Sequence, residues 1–241
     1  MSPIAIILGI VIIILIYILY KYFTTTTSTL GTLIDLSKTS SSTAFTKKED
    51  VVNSMSKRYS YGVWIYIDTW DSTEKKDIFY RNKVNEVKND KGEITTPEHS
   101  DIRLYLDQSS PILKCDFYTN ISQKQPTETI TITNNFAVQK WVCVIISVDN
   151  TIIDCYIDGK LVTSQQLKNQ PNVSDSDIFV GKFKAHLAKF QRTTSPIDPQ
   201  TAWSNYMSGN GGNSLQKMFS SYGVDVSFKK DNIEQQKFSI I

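Results

Sequence analysis

The chain has 241 residues, with Lys+Arg 26 against Asp+Glu 24 and a formal net charge of +2. Binding DNA or RNA by bulk charge needs a concentrated basic surface, so no nucleic-acid partner is expected. Three Cys in this length exclude a scaffold built on disulfides.

The apolar residues are unevenly spread. Ile4 to Tyr20 read IAIILGIVIIILIYILY, without one charged or amide side chain. With Lys21, Tyr22 and Phe23 the run reaches about 20 residues, or roughly 30 Å as a helix, which matches the hydrocarbon core of a bilayer. The run therefore predicts a single transmembrane helix over residues 1–23, with Ile4, Ile10 and Ile14 in lipid. Tyr20 and Lys21 stand at the headgroup level, where aromatics and a snorkelling Lys belong. No basic residue precedes the run and no A-x-A follows it, which argues against a cleaved signal peptide. Lys21 is the only charge near either end, so the positive-inside rule places the bulk of the chain on the cytosolic face. The odd number of Cys agrees with a reducing compartment. The sequons Asn120-Ile-Ser122 and Asn172-Val-Ser174 point the other way.

Residues 24–58 change texture to TTTTST and KTSSSTAF, with isolated Leu30, Leu33, Ile34 and Leu36. No period is sustained, and the segment is read as a Ser/Thr-rich tether. The alternative is an extended strip ordered against a partner through Leu33, Ile34 and Leu36.

From residue 59 the pattern becomes β. Tyr59–Asp68, Ile78–Arg81, Ile102–Leu106, Ile112–Tyr118 and Thr129–Thr133 are short runs rich in aromatic and β-branched residues. Trp141–Asp149 is almost wholly apolar, which predicts a central strand covered on both faces. Ile152–Ile157 and Leu161–Gln166 flank Asp158-Gly159-Lys160, a strong hairpin signal because Gly accepts the positive φ of the turn. Ile178–Gly181 and Phe183–Phe190 follow. Asp198-Pro199 announces a helix through Met207, closed by Ser208-Gly209-Asn210-Gly211-Gly212. Trp203 and Tyr206 share a face of it, and Trp203 is expected to anchor the helix on the sandwich. Tyr222–Phe228 reads as a last strand, with Phe238, Ile240 and Ile241 docking the tail. Many short strands with frequent turns imply an all-β sandwich over 59–241 with one short helix.

Little of this pattern offers catalytic chemistry. Glycoside hydrolysis needs paired carboxylates, but no E-x-D-x-x-E run occurs and Glu86 and Glu128 stand alone. No G-x-S-x-G elbow is present, and neither His99 nor His186 has a partner at zinc-ligand spacing. Cys115, Cys143 and Cys155 sit in strand patterns as small buried hydrophobes. No catalytic residue, metal or cofactor is expected.

Trp141-Val-Cys-Val-Ile-Ile, the Tyr156-Ile-Asp-Gly-Lys-Leu-Val162 hairpin, Ile178-Phe-Val-Gly181 and Leu187-Ala-Lys-Phe-Gln-Arg192 resemble the concanavalin A-like, laminin-G-like jelly-roll family. Ser195–Gly209 looks like that family's short helix. The resemblance covers about 59–209 and implies a two-sheet jelly roll. It also implies a rim Ca²⁺ site as a weak candidate, with Asp175 and Asp177 as the ligands singled out beside Asp149 and Asp158. The order of anchor, Thr/Ser segment, sandwich and Tyr-Gly-Val-x-Val-x-Phe tail resembles minor capsid proteins of large icosahedral DNA viruses of the algal-virus type. That resemblance implies a non-enzymatic structural protein joining an internal membrane to capsid proteins in a virion. The alternative is a glycan-binding attachment protein, for which Trp70 in Asp68-Thr-Trp-Asp71 is the candidate contact.

Overall fold

The computed structural model describes residues 3–24, 26–82, 84, 87–88, 94–96, 99–119, 127–211, 224–230 and 233–240. Helix α1 spans Pro3–Thr24. The strands are β1 Thr27–Asp35, β2 Arg58–Ile67, β3 Lys76–Arg81, β4 Val87–Lys88, β5 Ile94–Thr96, β6 Ile102–Leu106, β7 Leu113–Tyr118 and β8 Thr127–Thr133. They continue with β9 Val142–Asp149, β10 Ile152–Ile157, β11 Lys160–Gln166, β12 Ile178–Val180 and β13 Ala185–Thr193. Helix α2 covers Pro199–Met207, and β14 Val224–Lys230 and β15 Ile233–Ile240 follow.

Two antiparallel sheets face each other as in a concanavalin A-like jelly roll. One runs in the order β1-β13-β2-β9-β10-β11, the other β12-β3-β6-β7-β8. Their inner faces meet in a core that includes Tyr61, Ile65, Phe79, Leu104, Phe117, Val144, Ile146 and Phe190. Alternation drives this arrangement: in β6, Ile102, Leu104 and Leu106 are buried while Arg103 and Tyr105 are not. β9 lies inside its sheet, and Val142–Val148 are all buried. Val144, Ile146 and Val148 face the core, and Cys143 and Ile145 join a second cluster with Trp64, Tyr156, Ile197 and Ala202 of α2. All three cysteines are free and buried.

Two expectations need correction. Residues 24–58 are not a tether: Thr27–Asp35 forms β1, paired with β13 from Thr27↔Thr193 to Asp35↔His186. Leu30, Ile34, Leu36 and Val51 are buried in the core, whereas Leu33, Val52 and Met55 face out. The partner of this strip is the chain's own sandwich. The tail is also not a last strand of the sandwich, because β14 pairs with β15 as a separate two-stranded sheet. Tyr222 and Ile241 lie outside the described residues, as do Glu86, Asn120 and most of 83–91. Side chains in α1 are described over 8–17 and at Leu19 and Tyr20, so Ile4 and Lys21 are placed only as helical positions. Among the described residues, no helix is long and apolar enough to cross a membrane.

A loop over residues 51–57 closes one end of the sandwich, and two buried arginines hold it. Arg192, 1% exposed, donates from Nη1 to Val52 O at 2.9 Å and from Nη2 to Asn53 O at 3.3 Å. Arg81 donates from Nη1 to Ser54 O at 2.7 Å and from Nε to Ser176 O at 3.1 Å. Burial lowers the Arg192 pKa, and the faces of Tyr59 and Tyr61 offset part of that cost. Arg192→Met leaves Val52 O without its donor, while Asn53 O keeps the Ser56 N–H and Ser54 O keeps Arg81. The loss of the buried guanidinium is expected to cost about 3 kcal/mol. Urea unfolding checks this as a lower midpoint at constant slope.

Candidate functional site

Helix α2 is seated on the outer face of the six-stranded sheet. Asp198 caps it by accepting the Thr201 N–H at 2.8 Å, and Pro199 supplies the first turn. That hydrogen bond lowers the Asp198 pKa. Just upstream, Ile197 N–H donates to Ser147 Oγ at 2.9 Å, and Tyr156 Oη donates to Ile197 O at 3.2 Å. Further along, Tyr206 stacks on Trp64 with centroids 5.6 Å apart and planes at 17°. Tyr206 is thus the aromatic that anchors the helix. Trp203, expected from the sequence to fill that role, touches the β10–β11 turn at Gly159 but remains 45% exposed.

Between α2, the β10–β11 hairpin and the loop before β9 lies a groove of about 440 Å³. Phe136, Val142 and Ile157 give it an apolar floor, and Trp203 and Tyr206 form an aromatic side. Thr133, Asn135, Asp158 and Lys160 supply polar groups. Asp158, with φ 49° in the turn, accepts the Cys143 N–H on Oδ1 at 2.9 Å, and its Oδ2 lies 3.5 Å from Lys140 Nζ. These bonds fix the carboxylate beside the exposed indole. An exposed aromatic face next to fixed donors and acceptors suits a ligand with one apolar face and a rim of hydroxyls, such as a pyranose. Asp158 and Trp203 come from separate motifs that the sequence showed individually, and only folding makes them neighbours.

The residues singled out from the sequence lie elsewhere. Trp70 is half-buried against the main core, with Lys76 Nζ 4.3 Å from its ring centroid. Lys76 itself is 2% exposed and donates to the carbonyls of Asp71, Glu74 and Gln108. Asp175 accepts from Lys48 Nζ at 3.2 Å and Ser54 Oγ at 2.6 Å, and Asp177 accepts the Lys48 N–H at 2.9 Å. Both carboxylates pin the 48–54 segment. Asp149 pairs with Arg58 at 2.8 Å, distant in the fold from Asp158. No group of three or more His, Cys, Asp or Glu comes together among the described residues. His186 Nδ1 lies 3.1 Å from Asp68 Oδ2, and His99 stacks on Tyr118. Asn172, the second sequon, donates its amide to Asp101 at 2.7 Å.

One charged cluster escaped the sequence because it is drawn from three strands. Arg103 donates to Asp77 at 2.6 and 2.8 Å, and its Nη1 lies 3.9 Å from Asp116. Burial raises the Asp116 pKa against the Thr129 hydrogen bond at 2.6 Å and the nearby Arg103. Both carboxylates flank the guanidinium, and Arg103 and Asp116 also line a polar cavity of about 230 Å³ with Lys75, Ser100 and Thr127.

Residues 38–210 match the model of the Concanavalin A-like lectin/glucanases superfamily. The chain belongs to that family. Similar solved structures include the receptor-binding domain of botulinum neurotoxin mosaic serotype C/D, at 12% identity and TM-score 0.46 over 64% of this chain and 37% of that one. The binding domain of botulinum neurotoxin DC in complex with SialylT gives 18% identity and TM-score 0.47, over 65% and 37%. The binding domain of Paraclostridial Mosquitocidal Protein 1 gives 14% and 0.49, over 68% and 40%. The chain thus spans 37–40% of the length of these structures. No curated protein sequence matches it.

Proposed function

We propose that the chain is a membrane-anchored carbohydrate-binding protein whose ligand lies in the groove between α2 and the β10–β11 hairpin. The observation that carries this reading is the half-exposed Trp203 beside the fixed Asp158, in a family of lectins and glucanases. Binding rather than catalysis is proposed, because Asp158 has no second carboxylate among the groove's lining residues. The proposed anchor is α1. Its described side chains alone do not make up a span, but its 22 residues carry one charge in the sequence and every described side chain is exposed, an apolar surface that lipid would cover. Strand register keeps the groove at the end of the sandwich away from α1, open to a ligand. Thr27 aligns through Thr193 and Ser60 with Ser147, while the groove sits past Val142 at the other end of β9, roughly 20 Å along the strands.

A glycan array probed with the detergent-solubilised full chain tests the proposal. Trp203→Ala is expected to remove about 2 kcal/mol, or roughly thirtyfold in affinity, as truncation of a central aromatic does. Trp70→Ala should leave binding intact. Undiminished binding by Trp203→Ala would exclude the groove.

The second reading is a minor capsid protein that joins an internal membrane to a protein shell. What supports it is β11, an edge strand exposed along nearly its whole length, with Leu161 and Val162 open to a partner. The two readings place the sandwich on opposite faces of the membrane, and Lys21 and the three free cysteines favour the cytosolic one. Protease treatment of sealed membranes separates them: display requires residues 27–211 to be digested from outside.

A further inference from the structure

Only Thr25 and Thr26 separate α1 from β1. Three Cα–Cα steps span at most about 11 Å, so β1 begins no farther than that from the end of α1. The strand pairing shows which part of the sandwich this brings close. Thr194 N–H bonds to Thr26 O, Val52 N–H bonds to Ser28 Oγ at 2.8 Å, and Asn150 N–H bonds to Lys57 O. Arg58 aligns with Asp149, and Asp149 with Ile152. The end of the sandwich that receives α1 is therefore made of the 51–57 loop, the 149–152 turn and residues 193–195.

That end exposes large apolar side chains that the core does not use. Met55 is 60% exposed, Ile152 49% and Val52 42%. Lys57 is exposed beside them, and Arg58 is paired with Asp149. Apolar side chains interleaved with paired charges suit the headgroup layer, where stems and thioethers meet acyl chains and charges stay wet. Arg58 is neutralised by Asp149 and Lys57 Nζ donates to Gln170 Oε1 at 2.9 Å, so the contact does not require anionic lipid.

Resting on the reading of α1 as a membrane span, we propose that this end of the sandwich is a second membrane contact. Met55, Val52 and Ile152 sit among the headgroups of a zwitterionic bilayer. The contact fixes the domain against the surface, so that the groove faces away from it.

The test uses the full chain in phosphatidylcholine nanodiscs. The native thiols are buried, and burial pushes Cys143 and Cys155 up to about 12, so they resist labelling. A fluorophore is placed at Met55→Cys, at Ile152→Cys and, at the opposite end, at Val138→Cys. Lipids carrying a headgroup nitroxide should quench the labels at 55 and 152 severalfold more than the label at 138. Equal quenching at all three sites, with the chain still resistant to carbonate extraction, overturns the second contact and leaves the anchor standing. Extraction by carbonate overturns the anchor and this contact with it. Photoactivatable headgroup lipids applied to the unmodified chain give the same answer without substitution. Adducts on 51–57 and 149–152 and none on 136–140 support the contact, and their absence from the first two segments overturns it.

Discussion

Gly181→Ala is expected to prevent the sandwich from forming at full stability, with a loss above about 3 kcal/mol where a domain of this kind commands about 5–15. A Cβ at Gly181 would lie 2.0 Å from Asp77 O and 2.9 Å from Asp77 C. Those are backbone atoms, so no rotamer change relieves the overlap. β12 would have to leave β3, where Ile178 pairs with Arg81 and Val180 with Phe79. Alternatively, Asp77 would move, at a point where the β3–β6 register already shifts between Asp77 and Phe79. Moving it also disturbs the Arg103 pair at 2.6 Å. Gly181 O accepts from Thr39 Oγ1 at 2.7 Å, so displacement from the other side loosens the segment after β1. The measurement is the urea midpoint of purified chain against wild type. A fall of less than about 1 kcal/mol would mean that the two segments separate more easily than their pairing implies.

Gly181 also shows what can be read in advance. Ile178-Phe-Val-Gly181 is visible as a motif, but the need for glycine comes from a carbonyl on a strand far earlier in the chain. The central strands are legible because burial on both faces leaves a continuous apolar run, as in Val142–Val148. Helix α2 is legible because Asp198 and Pro199 are local signals that act through local bonds. β1 is not, for a physical reason. It is an edge strand in which the buried positions Ser28, Leu30 and Ile34 include a polar residue, while the apolar Leu33 is exposed, so no run of apolar residues marks one buried face. The tail hairpin is half legible: Val224–Phe228 alternates, while Gln235, Gln236 and Lys237 blur the strand that pairs with it. The groove cannot be read at all, because Asn135, Asp158 and Trp203 converge only once the hairpin and helix are packed. Trp203 reads as an anchor because an apolar aromatic on a short helix usually is one, and the stacking surface is taken by Tyr206 instead.

That competition between Trp203 and Tyr206 is settled at Gly159, which makes Gly159→Ala the sharper probe of the groove. Gly159 has φ +75°, and a Cβ there would lie 3.0 Å from both Trp203 Cε3 and Tyr206 Cβ and 3.1 Å from Trp203 Cα. The left-handed backbone alone costs an Ala about 1 kcal/mol. The contact adds more, because Tyr206 is held against Trp64 and Trp203 Cα is part of the helix itself. α2 must lift from the turn, and the total is expected near 2–3 kcal/mol. Gly209 offers the matched control. It has φ +71°, but no atom lies within 4 Å of the point a Cβ would occupy, so Gly209→Ala carries the backbone strain without the clash. Gly209→Ala should therefore lose only about 1 kcal/mol and keep glycan affinity. Gly159→Ala should lose about twice that stability or more, together with affinity, although it removes no groove donor or acceptor. Thermal unfolding and array binding of the two variants side by side give the comparison. Equal losses would mean that α2 does not depend on the turn for its seat, and the position of Trp203 against Gly159 would then need another support.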